Sequence, residues 1–103
     1  MAHVPVAAAQ EERPLLLFLA SRQSGPARRM ASLVAWVTVK HRRSLRVVEL
    51  DIDDVRDLAN ALEVEAAPAL VLFEDNVVVD KLEGRATGPE IERFLEPHLD
   101  RSA

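Results

Sequence analysis

The chain has 103 residues, of which 49% are hydrophobic, and a formal net charge of −4. This size and composition predict a single folded domain, and the acidic balance argues against nucleic acid or an anionic membrane as the main partner. There is no cysteine, which excludes disulfides, thiolate metal sites and cysteine nucleophiles from the chemistry of this chain.

Targeting signals are not evident in the sequence. The N-terminus lacks a basic region followed by a long apolar stretch, and the longest apolar run, Leu15–Ala20, is far too short to span a bilayer. A cytoplasmic location is therefore expected. The excess of arginine over lysine, 11 against 2, and the frequent alanine indicate a GC-rich bacterial source.

The N-terminal part of the chain divides into an arm and a first strand. Residues 1–12 are rich in alanine and show little periodicity, which predicts a short helix near 4–11 or a frayed arm. A domain spanning residues 13–103 follows. Its first element is the apolar run 15–20, which lies between a proline and a polar turn and predicts a strand buried on both faces.

A long helix is predicted at 26–43. Pro26 suits a first helical turn, and either Ser24 or Gly25 can cap it. Apolar residues recur at helical spacing along one stripe, at Ala27, Met30, Ala31, Val34 and Val37. Trp36, the only tryptophan of the chain, is interpreted as partly buried in the core rather than as an anchor for a partner.

The remaining elements alternate between strands and helices. The predicted order after the long helix is strand 45–51, helix 54–62, strands 69–74 and 77–82, and helix 88–99. The two later strands are so close in sequence that they must form an antiparallel hairpin, whereas the helical crossover makes the first two strands parallel. The predicted order is β-α-β-α-β-β-α around one mixed sheet.

Five short segments fall in register on this order of elements. They are Ser24-Gly25-Pro26-Ala27 at the start of the long helix, Asp51-Ile52-Asp53, Ala67-Pro68-Ala69, Leu70-Val71-Leu72-Phe73, and Gly84 after the last strand. Their sequence and spacing resemble the thioredoxin family, whose corresponding motif is Cys-Gly-Pro-Cys. The resemblance covers roughly residues 13–99 and implies an α/β, thioredoxin-like three-layer sandwich with a four-stranded mixed sheet, the family's leading strand being missing.

The departures from the family concern its chemistry. Ser24 and Ala27 replace both motif cysteines, and Gln23 replaces the tryptophan before them. Phe18 stands where the family has a buried acid that accepts a proton, and Glu83 replaces an apolar residue before the late glycine. Because thiol–disulfide exchange needs sulfur at both steps, the resemblance implies a redox-inactive protein that is not an enzyme and needs no cofactor.

One function of the family does not depend on cysteine. Its members pair a substrate segment, as a short added strand, with the backbone beside a cis-proline that faces the motif. The resemblance therefore predicts a cis bond between Ala67 and Pro68. It also implies a protein-binding or scaffold surface that consists of Gln23, Ser24, Gly25, Pro26, Ala67, Pro68 and Gly84.

Arg28 and Arg29 form a candidate anion site. They follow the motif in the first helical turn, where free backbone N–H groups favour negative charge. The alternative is that both guanidinium groups are simply solvated.

The remaining polar groups are not assigned to a functional site. His3, His41 and His98 are far apart in sequence and are expected on the surface, so no metal site is predicted. An acidic cluster at 51–57 lacks the glycine and the closing glutamate of a calcium loop and is assigned to helix capping and solvation.

Two other functions stay open at this point. The first is a thioredoxin-type disulfide reductase inactivated by cysteine substitution, either naturally or by engineering. The second is a subunit of a larger complex whose sheet is completed by another chain, since exposed sheet edges usually need cover.

Overall fold

The computed structural model describes residues 13–99 and shows a four-stranded mixed sheet. Its strands are β1 (Leu15–Ala20), β2 (Arg46–Asp51), β3 (Ala69–Glu74) and β4 (Val77–Glu83). They are ordered β2-β1-β3-β4, with β1 parallel to β2 and β3 antiparallel to both of its neighbours. The predicted topology is thus confirmed, whereas the predicted N-terminal arm or helix lies outside the described residues.

Within residues 13–99, three helices cover the two faces of the sheet. They are α1 (Gly25–Lys40), α2 (Arg56–Ala61) and α3 (Gly88–Leu95). Because side chains of a strand alternate between faces, β1 contributes to two separate cores. Leu16 and Phe18 pack in the cluster with α1 and α3, and Leu17 and Leu19 pack in the cluster with α2. The result is the expected three-layer α/β sandwich.

Phe18 belongs to the larger cluster. It is fully buried, and Met30 and Val34 of α1 are buried in the same cluster. A carboxylate in this position would lie among apolar side chains, where an ionised group is strongly disfavoured. The aromatic side chain therefore suits a domain in which no buried acid is used.

The predicted C-terminal end of α1 is wrong by three residues. The helix ends at Lys40 rather than at 43. The His41 N–H still donates to Val37 O at 2.9 Å, but the Ser44 N–H donates to His41 O at 2.8 Å, so residues 41–44 form turns. The basic residues after Lys40 therefore belong to a connection and not to the last helical turn.

The two shorter helices also differ from their predicted bounds. Residues 52–54 form a separate 3₁₀ turn, and α2 begins only after Val55, whose φ of −133° interrupts the helix. The last helix ends at Leu95 rather than at 99. Glu96–His98 is a 3₁₀ turn, because Pro97 has no N–H with which to continue an α-helix. Within residues 13–99, no helix has the length and apolar character that crossing a membrane requires.

The turn between β3 and β4 is as short as the sequence predicts. Asp75 and Asn76 connect the strands and have φ angles of 55° and 65°. Asparagine and aspartate tolerate this left-handed conformation better than most residues. Two-residue turns with positive φ match the twist of the strands that they connect, so β3 and β4 pair closely.

The interpretation of Trp36 as partly buried is wrong. Its side chain is 58% exposed. The buried residues of α1, which are Ala27, Met30, Val34 and Val37, occupy the stripe that faces the sheet. At 3.6 residues per turn, Trp36 falls on the opposite side of the helix. The tryptophan is therefore part of the outer surface of α1.

Candidate functional site

The loops that carry the predicted site residues meet at one edge of the sheet. Ala20, at the end of β1, pairs with Asp51 at the end of β2. On the other side of β1, Leu19 pairs with Ala69 at the start of β3, and Ala69 pairs with Glu83 at the end of β4. The segments 21–24, 64–68 and 84–87 therefore lie next to one another. This convergence brings together the motif, the Pro68 loop and Gly84.

Ser24 is the N-cap of α1. It precedes α1 with extended backbone angles, φ −90° and ψ 129°, and its Oγ accepts the Ala27 N–H at 3.2 Å. Its carbonyl accepts the Arg28 N–H at 3.1 Å. Within residues 13–99, neither a histidine nor a carboxylate is hydrogen-bonded to this hydroxyl. The serine thus has a structural partner and lacks a base that could activate it.

The other motif residues complete the first turn of α1. Gly25 begins the helix, Pro26 occupies its first turn, and Gln23 is exposed in the preceding loop. Ala27 is only 3% exposed and belongs to the core cluster of Phe18. The position of the family's second cysteine is thus filled by a small core side chain. The motif offers a backbone-rich surface without a nucleophile.

The Pro68 loop lies directly beside β4. The Ala67–Pro68 peptide bond is cis, and Pro68 itself is buried. The Pro68 carbonyl accepts the Gly84 N–H at 2.7 Å. Gly84 has a φ of +88°, which a residue with a side chain adopts only with strain. This glycine therefore allows the chain to turn away from β4 while it remains bonded to the loop.

Glu83 holds the same loop from its other end. Its Oε1 accepts the Glu65 N–H at 2.7 Å and the Ala66 N–H at 2.9 Å. These two hydrogen bonds, first that of Ala66, place the pKa of Glu83 below the ordinary value, and the charge of Lys81 adds to the effect. Lys81 Nζ in turn donates to the Glu63 carbonyl at 2.8 Å. The carboxylate and the ammonium together fix residues 63–66 against β4.

Ala67 differs from its neighbours in the loop. It is exposed, and its N–H and C=O groups make no hydrogen bond within residues 13–99. Ala66 donates to Glu83 and Pro68 accepts from Gly84, so the loop is held on both sides of Ala67. A rigidly placed, free backbone donor and acceptor can pair with an extended segment of another chain.

Arg28 and Arg29 line different grooves. Arg28 lies with Arg22, Glu49 and Asp54 around a groove of about 650 Å³. The second groove, of about 490 Å³, contains Arg29, Arg85 and Glu90 beside Pro26. The two arginines, predicted as one candidate anion site, thus lie on opposite flanks of the helix start.

An ion-pair cluster connects the motif loop to the end of β2. Arg22 Nε lies 2.8 Å from Asp51 Oδ2, and Arg22 Nη2 lies 3.3 Å from Asp54 Oδ2. The hydrogen bond from Arg22, followed by one from the Asp53 N–H, lowers the pKa of Asp51. The predicted role of the acidic cluster in capping is correct for Asp51, which caps the 3₁₀ turn 52–54.

Two of the three histidines are partly buried and paired with carboxylates. His41 lies with Nε2 3.0 Å from Glu92 Oε1. His98 lies between two carboxylates, 3.1 Å from Glu74 and 3.4 Å from Asp80. His3 lies outside the described residues. Among residues 13–99, no group of three or more histidine, aspartate or glutamate side chains could hold a metal ion.

Comparison with known proteins agrees with this geometry. The profile of the Thioredoxin family matches residues 5–97. A thioredoxin-like protein of Synechocystis sp. is 29% identical over 87% of this chain and 83% of its own length. The mitochondrial thioredoxin of Bos taurus is also 29% identical, over 82% of this chain. The matched part is 51% of that relative, so the chain spans about half the length of the mitochondrial relatives that it matches.

Solved structures show the same fold. A thioredoxin mutant from Halobacterium salinarum superposes with a TM-score of 0.80 at 22% identity, covering 89% of this chain and 80% of that one. The germline-specific thioredoxin Deadhead of Drosophila superposes with a TM-score of 0.79 at 20% identity, covering 86% of this chain and 84% of that one.

Replacement of Ser24 by alanine tests the capping role. We expect Ser24→Ala to lower the free energy of unfolding by about 1 kcal/mol, because the Ala27 N–H loses its acceptor. Ser24→Asp restores an acceptor and keeps the stability. Urea denaturation measures both variants. Ser32→Ala, at an exposed position within α1, is the control and loses nothing. Equal stability of Ser24→Ala and Ser32→Ala would contradict a capping role.

Glu83→Gln tests the link between the carboxylate and the Pro68 loop. Because folding lowers the pKa of Glu83, its ionised form stabilises the folded state above about pH 4.3, the ordinary value, and this stabilisation disappears as the pH falls through the folded-state pKa. We therefore expect Glu83→Gln to be less stable than the parent at neutral pH, with a difference that shrinks in acid.

Amide hydrogen exchange locates the effect of Glu83→Gln. The Glu65 and Ala66 amides should exchange faster in the variant, because both donate to Glu83. The Val64 N–H donates to the Ala59 carbonyl instead and serves as an internal control with unchanged exchange. A stability difference that stays constant from neutral to acid pH would contradict the role of the charge.

Proposed function

Because the chain belongs to the thioredoxin family, we propose that it is a redox-inactive member that binds an extended protein segment. The binding surface consists of the motif loop, the Pro68 loop and the turn after β4, with the residues Gln23, Ser24, Gly25, Pro26, Ala67, Pro68 and Gly84. It acts as a binding or scaffold module and performs no thiol–disulfide exchange.

The free backbone of Ala67 is the observation that carries this proposal. Ala67 is exposed, and its N–H and C=O have no partners among residues 13–99, between neighbours that are hydrogen-bonded to β4. A partner segment that pairs with Ala67 gains main-chain hydrogen bonds without ordering the loop first. Such binding uses no side-chain chemistry and is compatible with the loss of both cysteines.

The composition of the motif supports a binding role over catalysis. The Ser24 hydroxyl accepts a helix N–H, and Ala27 is buried in the core. Phe18 leaves the region beneath the motif without a group that can accept a proton. Each of the three positions is thus occupied by a residue that stabilises the domain and that cannot exchange a disulfide.

A bulky residue in the motif tests the proposed surface. We expect Gly25→Trp to fold, since a Cβ at Gly25 meets no atom within 4 Å, and to reduce capture of partners at least about tenfold by blocking the surface. Affinity capture from a lysate of the source organism, quantified by mass spectrometry, measures the effect. The matched control is Val77→Trp, an exposed residue at the opposite end of the sheet.

The capture experiment has one outcome that supports the proposed surface and one that refutes it. Proteins that are captured by the parent and by Val77→Trp but lost with Gly25→Trp are partners of the proposed surface. If Gly25→Trp captures the same proteins in the same amounts, the partner binds elsewhere or there is no partner, and the proposal is refuted. Thermal melting of both variants shows whether they are folded.

Restoring both cysteines tests the alternative, a disulfide reductase that lost its activity by substitution of the motif alone. In Ser24→Cys/Ala27→Cys the first thiol lies at a helix N-terminus, which favours its thiolate. We nevertheless expect little reduction of insulin disulfides, because Phe18 and Gln23 also depart from the family. Reduction at the rate of a cysteine-containing thioredoxin assayed in parallel would favour the alternative.

A further inference from the structure

The basic residues of this acidic protein are concentrated in one segment. Between Arg22 and Arg46 the sequence contains seven of its 13 basic residues and none of its 17 acidic residues. This segment includes all of α1. The rest of the chain is correspondingly acidic, so the charge is unevenly distributed along the sequence.

The outer side of α1 combines this charge with exposed apolar side chains. Trp36 is 58% exposed and Val39 is 70% exposed, one turn apart along the helix. Lys40 Nζ lies 4.8 Å from the centre of the Trp36 ring. A tryptophan and a valine that both face water on one side of a helix form an apolar spot, which a partner can bury.

Free positive charges surround the apolar spot along the helix. Arg28 and Arg29 precede it, and Arg43 follows it in the turn after α1. The three side chains are exposed, and no acidic residue within 13–99 pairs with them. We call these three arginines, with Trp36 and Val39, the α1 outer face.

From this arrangement we propose that the α1 outer face docks an acidic amphipathic helix of a partner protein. The apolar side of that helix would cover Trp36 and Val39, and its carboxylates would meet the arginines at either end. The backbone of α1 is hydrogen-bonded within the helix, so this face offers side chains rather than a strand edge. Helix-on-helix packing is the docking mode that uses side chains alone.

Acidic groups beside the face favour a protein segment over larger anionic surfaces. Glu92 lies next to Lys40 at the C-terminal end of α1, and Glu49 and Asp54 share a groove with Arg28 near its start. A bilayer surface or a nucleic acid duplex carries negative charge over a wide area, which these carboxylates repel. A partner helix of 16 residues would be roughly 24 Å long, which is the length of α1 itself.

The apolar spot of the α1 outer face is separate from the proposed binding surface at the motif, although Arg28 and Arg29 lie next to that surface. Trp36 and Val39 lie in the C-terminal half of α1 and Arg43 lies beyond its end, whereas the motif residues form its first turn. The inference therefore does not rest on the proposed function, and each surface can be tested while the other is intact.

The test uses a synthetic helical peptide as a probe. The peptide carries leucines along one side of the helix and glutamates at all other positions, and it contains no tryptophan. Because Trp36 is the only tryptophan of the chain, its fluorescence reports directly on the face. We expect a saturable shift of its emission to shorter wavelength at low salt, weakened by added salt. A peptide with lysine in place of glutamate should leave the emission unchanged.

Matched variants assign the binding to the face. Measured by fluorescence anisotropy of a labelled peptide, affinity should fall at least about tenfold in Val39→Asp and about fivefold in Arg43→Glu. The controls are Val77→Asp and Arg56→Glu. Val77 is 61% exposed on β4, and Arg56 lies on α2. The peptide affinity of both controls should stay within about twofold of that of the parent. Circular dichroism shows whether each variant is folded. If Val39→Asp does not fold, the comparison of Arg43→Glu with its control Arg56→Glu still tests the proposal.

Three outcomes would overturn the proposal. The first is the absence of saturable binding of the acidic peptide to the parent protein. The second is an equal loss of affinity in the α1 variants and in their controls. The third is a shift of Trp36 emission by phosphatidylserine–phosphatidylcholine vesicles or by duplex DNA but not by the peptide, which would assign the face to a membrane or to nucleic acid.

Discussion

The burial of β1 is the constraint on which the rest of the structure depends. Residues 16–20 are all buried, with alternate side chains in two different cores. The strand is also hydrogen-bonded on both sides, to β2 and to β3. It thereby fixes the positions of α1 and α3 on one face and of α2 on the other. The loop at its C-terminal end carries the motif, so the same strand determines where the candidate site lies.

Three side chains of the candidate site make structural contacts. Ser24 caps α1, Ala27 fills part of the core, and Glu83 holds the Pro68 loop through two backbone amides. All three interactions make the loops at this edge more rigid. A rigid surface with a free backbone donor and acceptor at Ala67 is suited to recognising an extended chain, because binding then orders fewer groups.

Much of this architecture could be predicted from the sequence because local patterns determine it. The apolar run 15–20, the helical stripe of α1 and the Asp75-Asn76 turn each specify their element, and the strand bounds agree with the structure within one residue. The ends of the helices were predicted less accurately than the bounds of the strands. Where α1 ends depends on turn hydrogen bonds at His41 and Ser44, which leave no periodic signal in the sequence.

Contacts between distant segments were also missed. Glu83 could be recognised in the sequence only as a departure from an apolar position, and its bonds to residues 65 and 66 depend on how the loop folds back onto β4. The same applies to His98, which meets Glu74 and Asp80 from another element. Trp36 was misplaced because tryptophan is more often buried than exposed, although the helical periodicity already placed it opposite the buried stripe.

The burial of Ala27 and Phe18 also has an evolutionary consequence. A cysteine at position 24 or 27 alone has no second thiol with which to form a disulfide, and an acid at position 18 would enter a closed apolar core. A single cysteine can form a mixed disulfide but cannot resolve it within this chain, and an acid at position 18 weakens the fold. Complete thiol–disulfide exchange by this domain therefore requires several positions to change together.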